Sequence, residues 1–94
     1  MNRKEFTDAL NRIEAFVNKI PNTPEDERLS LLMEVNFDLR ELRRLGKDGS
    51  HVKAAGLRLY PAIREYVLRP DDPHRKAVVT ELATLRFYAK EVPE

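Results

Sequence analysis

The run Asp48-Gly49-Ser50-His51 sets an acid, a hydroxyl nucleophile and an imidazole base within four residues. Those types carry out acyl transfer when separate elements present them to one another; neighbours on one short loop do not converge in triad geometry. The run reads instead as a turn followed by a serine cap. With Lys47, the same loop offers glycines and free N–H groups to a phosphate, but the Gly-x-x-x-x-Gly-Lys-Ser/Thr spacing is missing. Asp71-Asp72-Pro73-His74 brings oxygen and nitrogen ligands together, yet His51 is the only other histidine and there is no cysteine. Two histidines do not make a four-ligand structural zinc site. Asp72 is expected to cap a helix ahead of Pro73, with Asp71 complementing the helix dipole. Glu34, Asp38 and Glu41 fall near one another on a helix, but the Glu-x-x-His elements of carboxylate-bridged di-iron bundles are absent. These three read as a solvated face. No catalytic, cofactor-binding or metal-ligating residue is assigned, and the chain is expected not to be an enzyme.

Arg44 and His51 stand seven positions apart, a spacing similar to the Arg-x-x-x-x-x-x-His of HEPN-type ribonucleases, where the pair belongs to a helix-associated active site. Here two glycines and a loop intervene, and the family is not carried over. The basic residues form the stronger pattern. Arg40, Arg43, Arg44 and Lys47 recur at i, i+3, i+4 and i+7, which places them together on a helix continuing to the glycine break. Arg58, Arg64 and Arg69 extend that surface if the next helix packs alongside. Such a patch can follow phosphates by shape and charge, although base at a helix C-terminus also suits the dipole without any partner.

The composition limits the choices further. The chain has 94 residues, 41% hydrophobic and 35% charged, with a net charge of +1 and no cysteine. That length suits one domain. The charge balance argues against a strongly electrostatic partner for the whole molecule. Disulfides, thiolate metal sites and cysteine nucleophiles are excluded. The amino-terminal residues turn amphipathic at once and no apolar run approaches the ~18 residues of a membrane span, so a cytoplasmic protein with no membrane partner is expected.

Stop-start signals divide the chain into four elements. Pro21-Asn22-Thr23-Pro24 and Pro70-Asp71-Asp72-Pro73 each pair a proline with a short oxygen-bearing residue, the pattern of an N-cap before a first-turn proline. Gly46-Lys47-Asp48-Gly49-Ser50 separates the middle two. The resulting helices are predicted over 3–20, 24–45, 51–69 and 73–91, giving an all-α fold, a four-helix antiparallel bundle in one domain over 1–94. Thr23 is expected to cap the second helix, Gly46 to end it and Ser50 to cap the third, while Pro61 predicts a kink or break near Leu57–Tyr60. Pro93 ends any helix, and the last residues are expected to fray.

The apolar patterns of the helices differ. Phe6, Ala9, Leu10, Ile13, Phe16, Val17 and Ile20 make a single stripe on the first. On the third, Val52, Ala55, Gly56, Leu59, Tyr60, Ile63, Tyr66 and Val67 share a face. The fourth is expected to bury Ala77, Val78, Leu82, Leu85, Tyr88 and Ala89, leaving Val79 and Phe87 outside. The second carries Leu29, Leu31, Leu32, Met33, Val35, Phe37, Leu39, Leu42 and Leu45 around most of its circumference, so it is either the central helix of the bundle or a self-association surface. Asn36 among those positions could fix register. The expected function is therefore a non-enzymatic helical interaction module, an adaptor, regulatory subunit or inhibitor. It binds another protein or a second copy of itself through Leu31, Val35, Phe37, Val79 and Phe87. The alternative is a nucleic-acid-binding subunit using Arg40, Arg43, Arg44, Lys47 and Arg58.

Overall fold

A computed structural model describes residues 2–94 and is all-helical: α1 (Asn2–Lys19), α2 (Glu25–Leu45), α3 (His51–Leu68) and α4 (Asp72–Phe87), with short 3₁₀ turns at Ile20–Asn22 and Ala89–Glu91. Among the described residues there is no strand, and no helix is long and apolar enough to cross a membrane. The packing is that of a bundle. Helix α3 packs against both α2 and α4; α1 packs against α2 and, less extensively, against α4 and the final 3₁₀ turn. A radius of gyration of 12.8 Å is near the ~12–13 Å expected of a compact chain this long.

The apolar stripes build one continuous core. Helix α1 contributes Phe6, Ala9, Leu10, Ile13, Phe16 and Val17, with Ile20 just beyond, the set its periodicity predicted. Helix α3 contributes Val52, Ala55, Gly56, Leu59, Ile63, Tyr66 and Val67. From α4 come only Val78, Leu82 and Leu85. Ala77, expected inside, is exposed; at 100° per residue it lies a full step off Val78, outside the narrow face that meets α3. Each fully buried large side chain contributes about 1.5–3 kcal/mol of transfer free energy, set against the entropy of ordering the chain.

Both proline junctions are capped one residue away from expectation. Thr23 does not cap α2: the 3₁₀ turn at Ile20–Asn22 extends α1, and the Thr23 hydroxyl donates to the Lys19 carbonyl at 2.8 Å. Pro24 takes the cap position of α2 without a side-chain bond, its carbonyl receiving the Glu27 N–H at 2.9 Å. Glu25, Asp26 and Glu27 then complement the positive end of the dipole. At the other junction Asp71, not Asp72, caps α4, accepting the His74 N–H at 3.1 Å. Its extended backbone sets the carboxylate three residues ahead of that N–H, and Asp72 becomes the first helical residue. Ser50 caps α3 as expected, accepting the Lys53 N–H at 3.0 Å.

The glycine break makes two distinct demands. Gly49 has φ of +83° in open space, the left-handed region that L side chains rarely adopt. Gly46 has an ordinary φ of −82°, but a β-carbon there would stand 3.1 Å from Val52 Cγ1 and 3.2 Å from the Lys53 nitrogen. It ends α2 by letting α3 come close. Helix α3 itself is uninterrupted from His51 to Leu68 with Pro61 inside it, so the expected break is not seen.

Helix α4 stops at Phe87, short of the predicted 91, because Tyr88 leaves helical geometry and the chain tightens into the 3₁₀ turn. The segment beyond is tied down where fraying was expected. Val92 is buried, and the Arg3 guanidinium donates to the carbonyls of Val92 and Lys90, each at 3.0 Å, and pairs with Glu94 at 2.7 Å.

Candidate protein-interaction surface

Helix α2 is not enclosed by its neighbours. Val35, Leu39, Leu42 and Leu45 are buried and Leu31 and Leu32 pack half-buried against the core. On the opposite side Leu29, Met33 and Phe37 stand 57%, 81% and 67% exposed. Spaced four residues apart, they form one line down the solvent face. Leu29 also borders a shallow depression of about 580 Å³ between the start of α2 and the end of α3, lined by Glu25, Asp26, Arg28, Val67 and Leu68. Leu68 is exposed too, so the apolar strip passes from Phe37 through Met33 and Leu29 to Leu68. At its other end Phe37 shares a depression with Glu5, Asp8, Arg12, Glu41 and Arg44.

The predicted interface residues divide accordingly. Val35 belongs to the core and Leu31 is half-buried against it, so neither joins the exposed line of α2. Phe37 is exposed, joined by Leu29 and Met33, apolar positions of α2 outside the predicted interface set. Asn36 is half-buried at the rim. Val79 and Phe87 on α4 are exposed as expected, but they are eight positions apart and make no stripe. Phe87 is partly occupied locally: its ring stacks on Tyr88 at 4.9 Å, with Lys90 Nζ 5.4 Å from the ring centroid.

Two of the five basic candidates, Arg44 and Arg58, are engaged by carboxylates. Arg44 Nε bonds Glu41 at 2.6 Å, and another guanidinium nitrogen reaches Glu5 at 3.5 Å. The Glu41 hydrogen bond holds Arg44 above the ordinary guanidinium pKa. Arg58 is gripped by both oxygens of Glu81, at 3.0 and 3.1 Å. The Lys53 ammonium donates to the Arg43 carbonyl at 2.9 Å. Among the described residues Arg40, Arg43 and Lys47 have no acidic partner. Asp38 is likewise taken, by Arg12 at 2.9 Å.

Ser50 and His51 are each engaged by other groups. Ser50 Oγ donates to the Lys47 carbonyl at 2.6 Å besides capping α3. His51 faces Glu91, with Nδ1 2.8 Å from Oε2, and its ring stacks on Tyr88 at 4.0 Å between centroids. The other Glu91 oxygen accepts the Val52 N–H at 3.1 Å, so the C-terminal segment supplies an extra carboxylate to the α3 N-terminus. The hydrogen bond with His51, reinforced by Val52 N–H, holds the Glu91 carboxyl below its ordinary pKa. Arg44 and His51 therefore answer to different carboxylates. Among the described residues no group of three or more His, Asp or Glu side chains is arranged to hold a metal.

The fold and surface describe an all-helical protein with a uniform apolar core and one solvent-facing apolar strip on α2. No protein family matches the chain, and no similar curated protein or solved structure was found.

Proposed function

We infer that the protein is a non-enzymatic helical interaction module, an adaptor, regulatory subunit or inhibitor, that binds another protein through the outer face of α2. The observation that carries this reading is the line Leu29, Met33 and Phe37, which leaves three large apolar side chains in water on a helix whose other side is already in the core. Aligned exposed apolar residues rimmed by charge are the usual mark of a binding surface, and an amphipathic line at i, i+4, i+8 fits helix-and-groove recognition.

The bundle would be a single domain with antiparallel helix neighbours, as short connections favour, bent where Pro61 removes a backbone hydrogen bond. A cysteine-free chain suits a reducing compartment such as the cytoplasm. The nucleic-acid reading is the weaker one, because Arg44 and Arg58 are engaged by carboxylates that phosphates would have to displace.

A photo-crosslinking amino acid placed at position 33 or 37 in cells tests the reading. Discrete protein adducts are expected from those positions and none from the exposed control position Lys76. Equal, diffuse labelling from all three would refute it.

A further inference from the structure

We propose that the partner of the α2 face is a second copy of this chain, docked as an antiparallel helix pair with its two-fold axis at Met33. The inference rests on the interaction-module reading above and adds the occupant and the register.

The solvent face of α2 is symmetric about Met33. Leu29 and Phe37 stand four residues either side of Met33, and Asp26 and Arg40 seven either side. All five project from the face opposite Val35, since steps of four and seven return to nearly the same side of a helix. A two-fold interface is isologous: residue i meets j of the partner and j meets i. With the axis at Met33, the Met33 side chains meet, each Leu29 meets the other chain's Phe37, and each Asp26 meets the other chain's Arg40. Every apolar residue of the line gains an apolar partner. Both terminal charges gain an opposite one, and neither has an ion-pair partner within its own chain among the described residues. Asp26 and Arg40 are about 21 Å apart along the helix at 1.5 Å per residue, so the two ion pairs bracket the apolar centre. A parallel pairing would set Asp26 against Asp26 and Arg40 against Arg40, which like-charge repulsion disfavours. The axis at Met33 is also where sulfur and thioether flexibility let two identical side chains pack on each other.

A contact this narrow belongs to the weak end of protein interfaces, so a Kd on the order of 100 µM is expected. Sedimentation equilibrium of the full chain from about 10 µM to 1 mM, a range spanning that Kd, reads it directly. The mass should rise from the monomer value of 11.0 kDa towards twice that. Phe37→Glu should stay monomeric across the range while keeping the helical circular dichroism of the parent. Asp26→Lys and Arg40→Asp should each weaken the dimer several-fold, and the double variant, or an equimolar mixture of the two single variants, should recover it. That recovery is the signature of the register. Because the chain has no cysteine, Met33→Cys gives a second readout. Mild oxidation should link it to itself, whereas Lys76→Cys, also exposed, should remain unlinked.

A chain that is monomeric at 1 mM, or a dimer indifferent to Phe37→Glu, overturns the proposal; so does charge reversal without rescue. If the chain stays monomeric while photo-crosslinking at position 37 yields a different protein, the self-pairing is wrong and the interaction-module reading survives. If neither self-association nor adducts occur, both fall.

Discussion

Replacing Gly46 with alanine separates the two demands made by the α2–α3 junction. At φ −82° and ψ 135° alanine adopts the native backbone without strain, and the loss of freedom in the unfolded chain alone would stabilise by about 0.4–1 kcal/mol. Against this stands the new β-carbon, 3.1 Å from Val52 Cγ1, 3.2 Å from the Lys53 nitrogen and 3.3 Å from Lys53 Cα. Val52 is buried, and the Lys53 nitrogen is held by the Ser50 hydroxyl at 3.0 Å. Neither can yield without disturbing the first turn of α3. Overpacking of this kind costs about 1–3 kcal/mol, so the steric effect wins and a net loss of about 1–2 kcal/mol follows, or roughly 5–10 °C in Tm for a domain of this size. Urea and thermal unfolding followed by circular dichroism, at about 5 µM so that mass action from self-association is negligible, would measure it. Gly49→Ala should lose about 1 kcal/mol for a different reason, its positive φ. Asparagine, which tolerates that region, should recover part of the loss at 49 and none at 46. A Gly46→Ala protein as stable as the parent would refute the close-approach account.

Three further outcomes are expected. Ser50→Ala should cost about 1 kcal/mol through loss of the α3 cap, whereas Thr23→Ala should leave the α2 N-terminus unaffected; amide hydrogen exchange in the two first turns distinguishes them. Because His51 and Val52 N–H hold the Glu91 carboxyl below its ordinary value of 4.5, the stability it contributes is present above that value and is lost as pH falls through the depressed one. Melts taken downward from about pH 6 should show a shallower acid loss in Glu91→Gln, the Asp71 contribution remaining in both; parallel curves would contradict the linkage. Val92→Ala removes two methyl equivalents from a buried site and should cost about 2 kcal/mol, with faster carboxypeptidase trimming from residue 94 as its local readout.

The four helices and the buried stripe of α1 were legible because each rests on local signals: punctuation by proline and glycine, and an uninterrupted 3.6-residue period. Helix α2 resisted the same reading for a physical reason. Apolar residues occupy both of its sides, and periodicity cannot say which side meets the core. Val35 and Leu31 therefore passed as interface candidates while Leu29 and Met33 did not, although their i, i+4 alignment with Phe37 was available. The caps were displaced by one residue because a 3₁₀ turn and the extended backbone of Asp71 decide which oxygen reaches which N–H. Least visible were the contacts of Arg3 and Glu91, which join residues far apart in the chain and leave no local pattern.

Arg3 has a consequence beyond fastening Val92. By gripping Lys90, Val92 and Glu94, it brings the two ends of the described chain within a side chain's reach, and the molecule becomes close to a closed ring. The loop around Gly49 is short and exposed, so the ring could be opened there and the old ends joined by a few flexible residues. Such a permuted chain would start with α3 and finish with α2, and the self-complementary face would then lie on its last helix with its spacing about Met33 unchanged.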